Sequence, residues 1–224
     1  MINIAIDGPS GAGKSSLAKK AAKLLDCNYV DTGALYRAIG LFVFRNGIEI
    51  GDIPGVLSVL DRVLPELRYE NGVQHVFLED EDVSEEIRMP NMSMYASFVS
   101  SISEVREKLL DVQRITAANN NVIMDGRDIG TVILPNAQVK VFLTASNAVR
   151  AERRFKELAA KGIQTTLEEV TTDMLKRDAA DAGRDIAPAV PADDAVILDN
   201  SNLNEEETLE ALIKIVRNAI GEEN

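Results

Sequence analysis

The sequence of 224 residues has few of the features that mark several large classes of protein. Its single cysteine, Cys27, excludes an intrachain disulfide, and it contains no tryptophan. No apolar run approaches the roughly 18 residues that a transmembrane helix needs, so we expect no membrane partner. Asp7 and the glycines that follow it interrupt the apolar start of the chain, so we expect no secretion signal. These absences favour a globular protein of the reducing cytoplasm.

Positive charge is also scarce, because the formal net charge is -12. A chain of this kind lacks the basic face that general nucleic-acid binding requires, so we expect no nucleic-acid partner. Yet 14 of its 24 cationic residues are arginine, whose planar guanidinium binds phosphate through two hydrogen bonds. An acidic protein that binds anions must do so with local clusters of arginine, and the positions of these arginines are therefore informative.

Short apolar segments alternate with segments of helical periodicity along most of the chain. The apolar segments are Ile2–Asp7, Cys27–Asp31, Asn121–Gly126, Val139–Thr144 and Ala195–Asn200, and predicted helices include Ala34–Phe44 and Glu205–Ile220. Continuous apolar runs are typical of buried parallel strands. The alternation therefore predicts an α/β fold, a three-layer sandwich around a parallel sheet.

One segment, Leu67–Leu78, departs from this alternation. The dipeptide Asn71-Gly72 lies between two strand-like arms, which is a strong signal for a β-hairpin. Pairing across that turn sets Leu67 opposite Val76. Because an antiparallel hairpin does not belong in a parallel core, we predict an inserted antiparallel subdomain over roughly Ile53–Arg88.

The segment Gly8–Ser15 carries the clearest chemistry, since it reads G-x-x-x-x-G-K-S between a predicted strand and a predicted helix. Its glycines let backbone amides approach phosphate oxygens, and Lys14 would reach the β- and γ-phosphates. The Ser15 hydroxyl would bind Mg²⁺, and either Asp7 or Asp125 would hold the waters of that ion. The predicted ATP-binding residues of this segment are Gly8, Pro9, Ser10, Gly11, Ala12, Gly13, Lys14, Ser15 and Ser16.

Three classes of protein use such a loop. A GTPase switch would need a guanine-reading N-K-x-D motif, which does not occur in the sequence. A motor or transport ATPase usually has a longer core, although the strand that ends at Asp125 could supply the acid of such an enzyme. A kinase for a small anionic acceptor should instead carry arginine clusters outside the loop.

The first arginine cluster is Arg150, Arg153 and Arg154, at positions i, i+3 and i+4 on one face of a predicted helix. One interpretation is a solvated helix face that Glu152 and Glu157 partly neutralise. The other is a lid that closes over the triphosphate and stabilises charge during transfer.

The second cluster is Arg177, Asp181 and Arg184, which again form one helical stripe. These residues could make a row of surface salt bridges, each contributing about 0.3–0.5 kcal/mol. Alternatively, the two guanidiniums bind phosphate and Asp181 accepts a hydrogen bond from a sugar hydroxyl.

Further candidates follow two of the predicted strands. Arg127 and Asp128 lie beyond the carboxyl end of a strand, where doubly wound sheets bind ligands, and we interpret them as readers of a phosphate and of a polar base edge. Thr32 is a candidate N-cap for the second helix, and Arg37 falls in the second turn of that helix.

Ser97 and Arg106 are nine residues apart, half a turn out of phase on a continuous helix. Ser101 and Glu104 match a capping box, which predicts an interruption of the helix between them. With that interruption, both side chains could face one pocket.

Together these segments resemble the bacterial cytidylate kinases, a family of P-loop nucleoside monophosphate kinases, over nearly the whole chain. The resemblance rests on "IDGPSGAGKS", "DTGALYR", "EDVSEEIR", "DGRDIGTV" and "APAVPADDA", and on the inserted hairpin of the long bacterial form. It implies a single P-loop kinase unit with a five-stranded parallel sheet in the order 2-3-1-4-5. The implied parts are a core (1–36, 117–148 and 186–224), a monophosphate-binding region with the insert (37–116), and a lid with its following helix (149–185).

The resemblance implies phosphoryl transfer from ATP to CMP or dCMP by a monomer, with Mg²⁺ as the cofactor. The implied CMP-binding residues are Arg37, Arg127 and Arg184 for the phosphate, Ser97, Arg106 and Asp128 for the cytosine, Arg177 and Asp181 for the sugar, and Thr32. The implied catalytic residues are Lys14, Asp125, Arg127, Arg153 and Arg154, and Arg150 and Arg154 would also contact ATP. The alternatives are another P-loop kinase for a small metabolite, such as a shikimate or dephospho-coenzyme-A kinase, and a nucleotide-dependent switch or binding protein.

Overall fold

A computed structural model describes residues 1–70, 73–89 and 91–221. The strands are β1 (Asn3–Asp7), β2 (Asn28–Asp31), β3 (Pro65–Glu70), β4 (Val73–Leu78), β5 (Glu81–Asp82), β6 (Val122–Asp125), β7 (Val139–Thr144) and β8 (Val196–Asp199). The helices are α1 (Lys14–Leu24), α2 (Thr32–Arg45), α3 (Ile53–Leu60), α4 (Met92–Val99), α5 (Ser103–Asn119), α6 (Asn147–Ala160), α7 (Leu167–Ala182) and α8 (Glu205–Ile220). No helix in these ranges is long and apolar enough to cross a membrane.

The chain divides into two compact units. The first consists of Met1 with Asn28–Asn120, and the second consists of Ile2–Cys27 with the described part of Asn121–Asn224. The first unit therefore contains α2 to α5 and the antiparallel strands, and the second contains the glycine-rich loop and most of the parallel strands. The predicted division into core, monophosphate-binding region and lid follows other boundaries and stays a prediction.

The parallel sheet has five strands in the order β2-β6-β1-β7-β8. Numbered within the sheet alone, this is the order 2-3-1-4-5, so both the α/β class and the implied order are confirmed. Within the second unit, β1 pairs in parallel with β6 and with β7, which sets Ile4 opposite Ile123 and Val139. Ile4 and Ile123 are fully buried, as continuous apolar strands at the centre of a parallel sheet require.

Strand β8 differs from the predicted buried strand. It is the last strand in the sheet order and pairs in parallel with β7. Its side chains Val196 and Ile197 are 46% and 55% exposed, whereas Leu198 is buried. An apolar run predicts a strand but not whether the strand lies at the centre or the edge of its sheet.

The first unit contains the predicted hairpin within a three-stranded antiparallel sheet, β3-β4-β5. Leu67 pairs with Val76, as the register of the hairpin predicted. The predicted turn residues, Asn71-Gly72, lie outside the described residues. Helix α3, the three strands and a short 3₁₀ turn at Glu86–Arg88 all fall within the predicted insert.

The hydrophobic core of the first unit is continuous from α2 into this insert. Leu35, Ile39 and Leu41 of α2 are fully buried in one cluster that also contains Val76 and Ile87. A surface contact adds to this packing, because the guanidinium of Arg45 at the end of α2 donates hydrogen bonds to Glu81 and Glu86.

The predicted interruption before Arg106 is confirmed, since α4 ends at Val99 and α5 begins at Ser103. The predicted capping box is wrong. Ile102 occupies the N-cap position and makes no side-chain cap, while the Ser101 hydroxyl donates to the Phe98 carbonyl at 2.7 Å. The Glu104 carboxylate accepts instead from the Ser103 hydroxyl at 2.9 Å.

We expect Ile123→Ala to lower the free energy of unfolding by about 2–5 kcal/mol, because it removes a fully buried side chain and leaves a cavity. Ile197→Ala is the matched control, since the same side chain on the edge strand is 55% exposed and should cost within about 0.5 kcal/mol. Urea unfolding followed by circular dichroism measures both. Equal losses for the two variants would contradict this description of the sheet.

Candidate nucleotide-binding site

The glycine-rich loop connects the end of β1 to the start of α1, as predicted. Gly13 is the N-cap of α1 and has a φ of 91°, a left-handed conformation that favours glycine. Gly8 has a φ of 144°, and a β-carbon there would lie 2.0 Å from the carbonyl oxygen of Leu143. The backbone of the loop therefore requires glycine at both ends.

Lys14 is buried at the start of α1, and its Nζ donates a hydrogen bond to the Pro9 carbonyl at 2.8 Å. Burial lowers the pKa of Lys14 well below its usual value, and the positive charges of Arg127 and Arg177 lower it further. The ammonium group is thus part of a concentrated cluster of cationic side chains in the second unit.

Two buried acids near the loop have different partners. The Ser15 hydroxyl donates to the Asp125 carboxylate at 2.8 Å. The two oxygens of Asp7 accept hydrogen bonds from the N–H groups of Ile129 and Gly130, both at 2.8 Å. Burial raises the pKa of Asp7 to about 6, although these two hydrogen bonds oppose that effect. Asp7 therefore holds the backbone that follows Asp128, and Asp125 is the acid beside Ser15.

That backbone forms a single π-helical turn, Ile129–Ile133. The carbonyl of Asp128 accepts from the N–H groups of Val132 and Ile133 at 2.9 and 3.2 Å. Asp128 itself is buried, and its charge is one of the causes that raise the pKa of Asp7. Asp7, the last residue of β1, and Asp128, which follows β6, thus lie in one buried acidic region.

Three arginines surround the buried carboxylate of Asp181. Arg127 donates to it from Nε at 3.1 Å, and Arg184 donates from Nη2 at 2.5 Å. The Nε of Arg177 lies 3.9 Å from the same carboxylate. These predicted site residues are therefore brought together, with three guanidinium groups around the Asp181 carboxylate, and Arg127 and Arg184 are largely buried.

The three arginines of α6 have three different sets of partners. Arg150 is buried and donates from Nη1 to the Ser10 carbonyl at 2.7 Å and to Asp178 at 2.5 Å. Arg153 donates to Asn200 and to the carbonyl of Leu203.

Arg154 pairs with Glu157 at 2.7 Å and is 34% exposed. These contacts do not test the predicted lid or the catalytic and ATP-binding roles of the three arginines, which stay predictions.

In the first unit, Arg37 lies beside Asp31. Its Nη2 donates to one carboxylate oxygen of Asp31 at 2.7 Å, while the other oxygen accepts from the N–H of Ala34 at 3.0 Å. Asp31 is therefore the N-cap of α2, and the prediction of Thr32 as the cap is wrong because Thr32 is the first helical residue. The Nε of Arg37 is buried and has no hydrogen-bond partner among the described residues.

Ser97 and Arg106 lie on separate helices of the first unit, α4 and α5. Arg106 is buried, donates to the Ser100 carbonyl at 3.3 Å, and lies 5.6 Å from the centre of the Tyr36 ring. Its guanidinium is thus held against an aromatic face, which fixes its position at the start of α5.

Asp31, Asp178 and Asn200 contact predicted site residues but were missed in the sequence. Asp31 had a usable signal, since it directly precedes a helix and is six residues before Arg37. Asp178 and Asn200 had none, because their partners in the loop are 168 and 188 residues away. Within the described part of the chain, no group of three or more histidine, cysteine or acidic residues is arranged to hold a metal ion.

Comparisons with known proteins agree with the resemblance found in the sequence. A family model described as Cytidylate kinase matches residues 4–218. A cytidylate kinase of Caldicellulosiruptor saccharolyticus is 47% identical over 222 residues, covering 99% of this chain and 98% of that protein. One from Caldanaerobacter subterraneus is 50% identical over 216 residues, covering 96% and 95%. A shikimate kinase structure from Bacteroides thetaiotaomicron covers 98% of both chains at 13% identity, with a TM-score of 0.49 that carries no weight for function.

We expect the carboxyl carbon of Asp7 to titrate with a midpoint near pH 6 in the nucleotide-free protein, because burial raises its pKa to about 6. Asp82 is the matched comparison, since hydrogen bonds from Ser84 and His75 lower its pKa to about 2. Carbon-13 NMR between about pH 3 and pH 8 measures both groups, and Asp82 should stay ionised throughout. A midpoint for Asp7 near its ordinary value of 3.8 would contradict the described burial.

The two shifts have opposite effects on stability. Folding disfavours ionisation of Asp7, so its contribution to stability falls as the pH rises from 3.8 through about 6. Folding favours ionisation of Asp82, so its contribution is present above 3.8 and is lost as the pH falls toward about 2.

Proposed function

The chain belongs to the cytidylate kinase family and transfers a phosphoryl group from ATP to CMP or dCMP, and from this premise we propose which residues perform each part of the reaction. The observation that carries the proposal is the group of cationic side chains near Lys14. Arg127 and Arg177 are close enough to lower the pKa of Lys14, and with Arg184 they share the single carboxylate of Asp181. Partly buried cations that are held in position before the ligand arrives are suited to binding anions.

On the ATP side, we propose that the backbone amides of Gly8–Ser16 bind the phosphates and that Lys14 contacts the β- and γ-phosphates. The position of Lys14 supports this role, because its ammonium group lies within the loop and donates a hydrogen bond to the Pro9 carbonyl. Of the arginines on α6, Arg154 is 34% exposed and pairs only with a surface glutamate among the contacts described, whereas Arg150 is buried. We therefore propose Arg154 for the γ-phosphate, whereas Arg150 supports the loop through Ser10.

Magnesium fits the oxygen atoms beside the loop. Mg²⁺ prefers hard oxygen ligands and is usually bound through one or two protein groups together with waters and phosphates. The Ser15 hydroxyl and the Asp125 carboxylate lie 2.8 Å apart and would together hold the ion and one of its waters. Asp7 fits less well because both of its oxygens already accept backbone hydrogen bonds. When bound, Mg²⁺ would neutralise charge on the transferring phosphate oxygens.

On the CMP side, we propose that Arg37, Arg127 and Arg184 bind the phosphate. The buried Nε of Arg37, which has no partner among the described residues, supports this role because a phosphate oxygen would satisfy it. We propose that Ser97, Arg106 and Asp128 contact the cytosine and that Arg177 and Asp181 contact the sugar. Thr32, at the start of α2, would lie beside the CMP phosphate.

The proposed mechanism uses positioning and charge rather than a covalent intermediate. The acceptor is a phosphate oxyanion at neutral pH and needs no strong general base. Lys14 and Arg154 would neutralise the donor phosphates, while Arg127 would hold the acceptor phosphate in line with them. Guanidinium groups whose positions Asp181 fixes in advance lose little entropy when the phosphate binds.

We further propose that the enzyme is a monomer of the cytoplasm. All proposed binding residues belong to a single chain, and both substrates are cytoplasmic nucleotides. Size-exclusion chromatography with light scattering should give a mass near 24.4 kDa. A mass twice as large would contradict the monomer without affecting the proposed chemistry.

We expect Lys14→Ala to reduce kcat by at least about a hundredfold, because it removes the charge between the β- and γ-phosphates. A coupled assay of ADP release over a panel of nucleoside monophosphates, with ATP alone as the blank, measures this and also tests the preference for CMP. Lys23→Ala is the matched control, since Lys23 lies exposed on the same helix. Near-normal turnover in a folded Lys14→Ala protein would contradict the proposed role.

We expect Asp128→Asn to reduce the preference for CMP over UMP by roughly tenfold or more. The carboxylate can accept from the amine of cytosine, whereas UMP offers it a carbonyl oxygen, which cannot donate to it and repels it. An asparagine amide can donate to that carbonyl. The ratio of kcat/KM for CMP and UMP measures the change, and Asp193→Asn is the exposed control. An unchanged ratio would show that Asp128 does not read the base.

A further inference from the structure

Asn200 is a buried residue that connects the glycine-rich loop to helix α6. It directly follows β8, and its side-chain amide donates to the Ala12 carbonyl at 3.1 Å. Its side-chain oxygen accepts from Arg153 Nη1 at 3.0 Å, and its backbone carbonyl accepts from Nη2 of the same guanidinium at 3.0 Å. Its own N–H donates to the carbonyl of Thr144, the last residue of β7, at 2.9 Å. All the hydrogen-bonding groups of Asn200 therefore have defined partners.

The contact with Ala12 determines the orientation of a peptide plane. In a planar trans peptide, the carbonyl of one residue and the N–H of the next point in opposite directions. Because Asn200 holds the Ala12 carbonyl on one side of the loop, the N–H of Gly13 must point to the other side. Gly13 is the N-cap of α1, so this N–H lies at the positive end of the helix.

Arg150 makes the corresponding contact two residues earlier. It donates to the Ser10 carbonyl at 2.7 Å, and by the same geometry the N–H of Gly11 points to the opposite side. The approach of the two segments is close, since a β-carbon on Gly11 would lie 2.9 Å from the Arg150 carbonyl oxygen. Two arginines of one helix thus hold alternate carbonyls of the loop, Arg150 directly and Arg153 through Asn200.

We propose that Arg153 is a positioning residue that acts through Asn200 to keep the Gly13 N–H directed at the phosphates of ATP, and is not itself a phosphate ligand. This inference rests on the proposed role of the loop in binding ATP. It replaces the catalytic role that the sequence predicted for Arg153. Both terminal nitrogens of its guanidinium donate to Asn200, and Nη2 also donates to the Leu203 carbonyl, so these contacts already fix the orientation of the group.

The test is a double-mutant cycle of Arg153→Met and Asn200→Ala. If Arg153 acts through Asn200, each single variant should weaken ATP binding by about tenfold, and the double variant should be no weaker than Asn200→Ala alone. Calorimetric titration with an unhydrolysable ATP analogue and Mg²⁺ measures the dissociation constant. The KM for CMP should stay close to that of the wild type, which a general loss of structure would not permit.

Two further variants separate the contacts of Asn200. Asn200→Asp has nearly the same shape and can still accept from Arg153, but it cannot donate to the Ala12 carbonyl. It should therefore lose as much ATP affinity as Asn200→Ala. Lys156→Met is the control for removing a cation from α6, since Lys156 is exposed and pairs only with Glu152 among the contacts described.

The amide of Gly13 gives a readout that does not depend on turnover. On addition of the ATP analogue, its proton and nitrogen-15 resonances should shift strongly in the wild type and only weakly in Arg153→Met and Asn200→Ala. Gly130 is an internal reference, because its N–H is held by Asp7 in every variant.

The inference is overturned if Arg153→Met lowers kcat by a hundredfold or so in both the wild-type and the Asn200→Ala backgrounds, since that is the behaviour of a phosphate ligand. It is also overturned if Arg153→Met leaves ATP affinity unchanged. Failure of the proposed function would look different, because the wild type itself would then release no more ADP with CMP than with ATP alone.

Discussion

Peptide planarity is the constraint on which this site depends. A loop that turns its N–H groups toward an anion must turn its carbonyl groups away, and buried carbonyls need donors of their own. Here the donors are side chains from other elements, Arg150 for Ser10 and Asn200 for Ala12. The anion-binding geometry of the loop is therefore a property of the whole second unit rather than of the eight residues of the motif.

The distribution of charge follows from the same chemistry. The chain as a whole is strongly acidic, yet Arg127, Arg177 and Arg184 lie around Asp181, and the first two also lie close to Lys14. Bringing such cations together costs free energy through repulsion and lost hydration, and the neighbouring carboxylates offset part of that cost. Under the proposed function, anionic substrates that bind among these cations would recover the remainder, and affinity would be confined to the place where the chemistry occurs.

Local patterns predicted most of the fold but not the contacts that complete the site. Glycine spacing and apolar runs are local, so the loop and the five parallel strands could be predicted. The helix caps could not, because neighbouring side chains compete for the same N–H groups: Asp31 caps α2 in place of Thr32, and Ser101 bonds to another carbonyl. Asn200 could not be predicted either, because its partner is 188 residues away. The grouping of Arg127 with Asp181 followed from family resemblance alone.

The continuous core of the first unit has a consequence for how such an insert is acquired or lost in evolution. Because Val76 and Ile87 pack in the same cluster as Leu35 and Ile39, deleting the insert would uncover the apolar face of α2. A shortened chain would have to replace that face with polar residues at the same time. The insert is therefore not a detachable module, and its gain or loss in a lineage requires coordinated substitutions along α2.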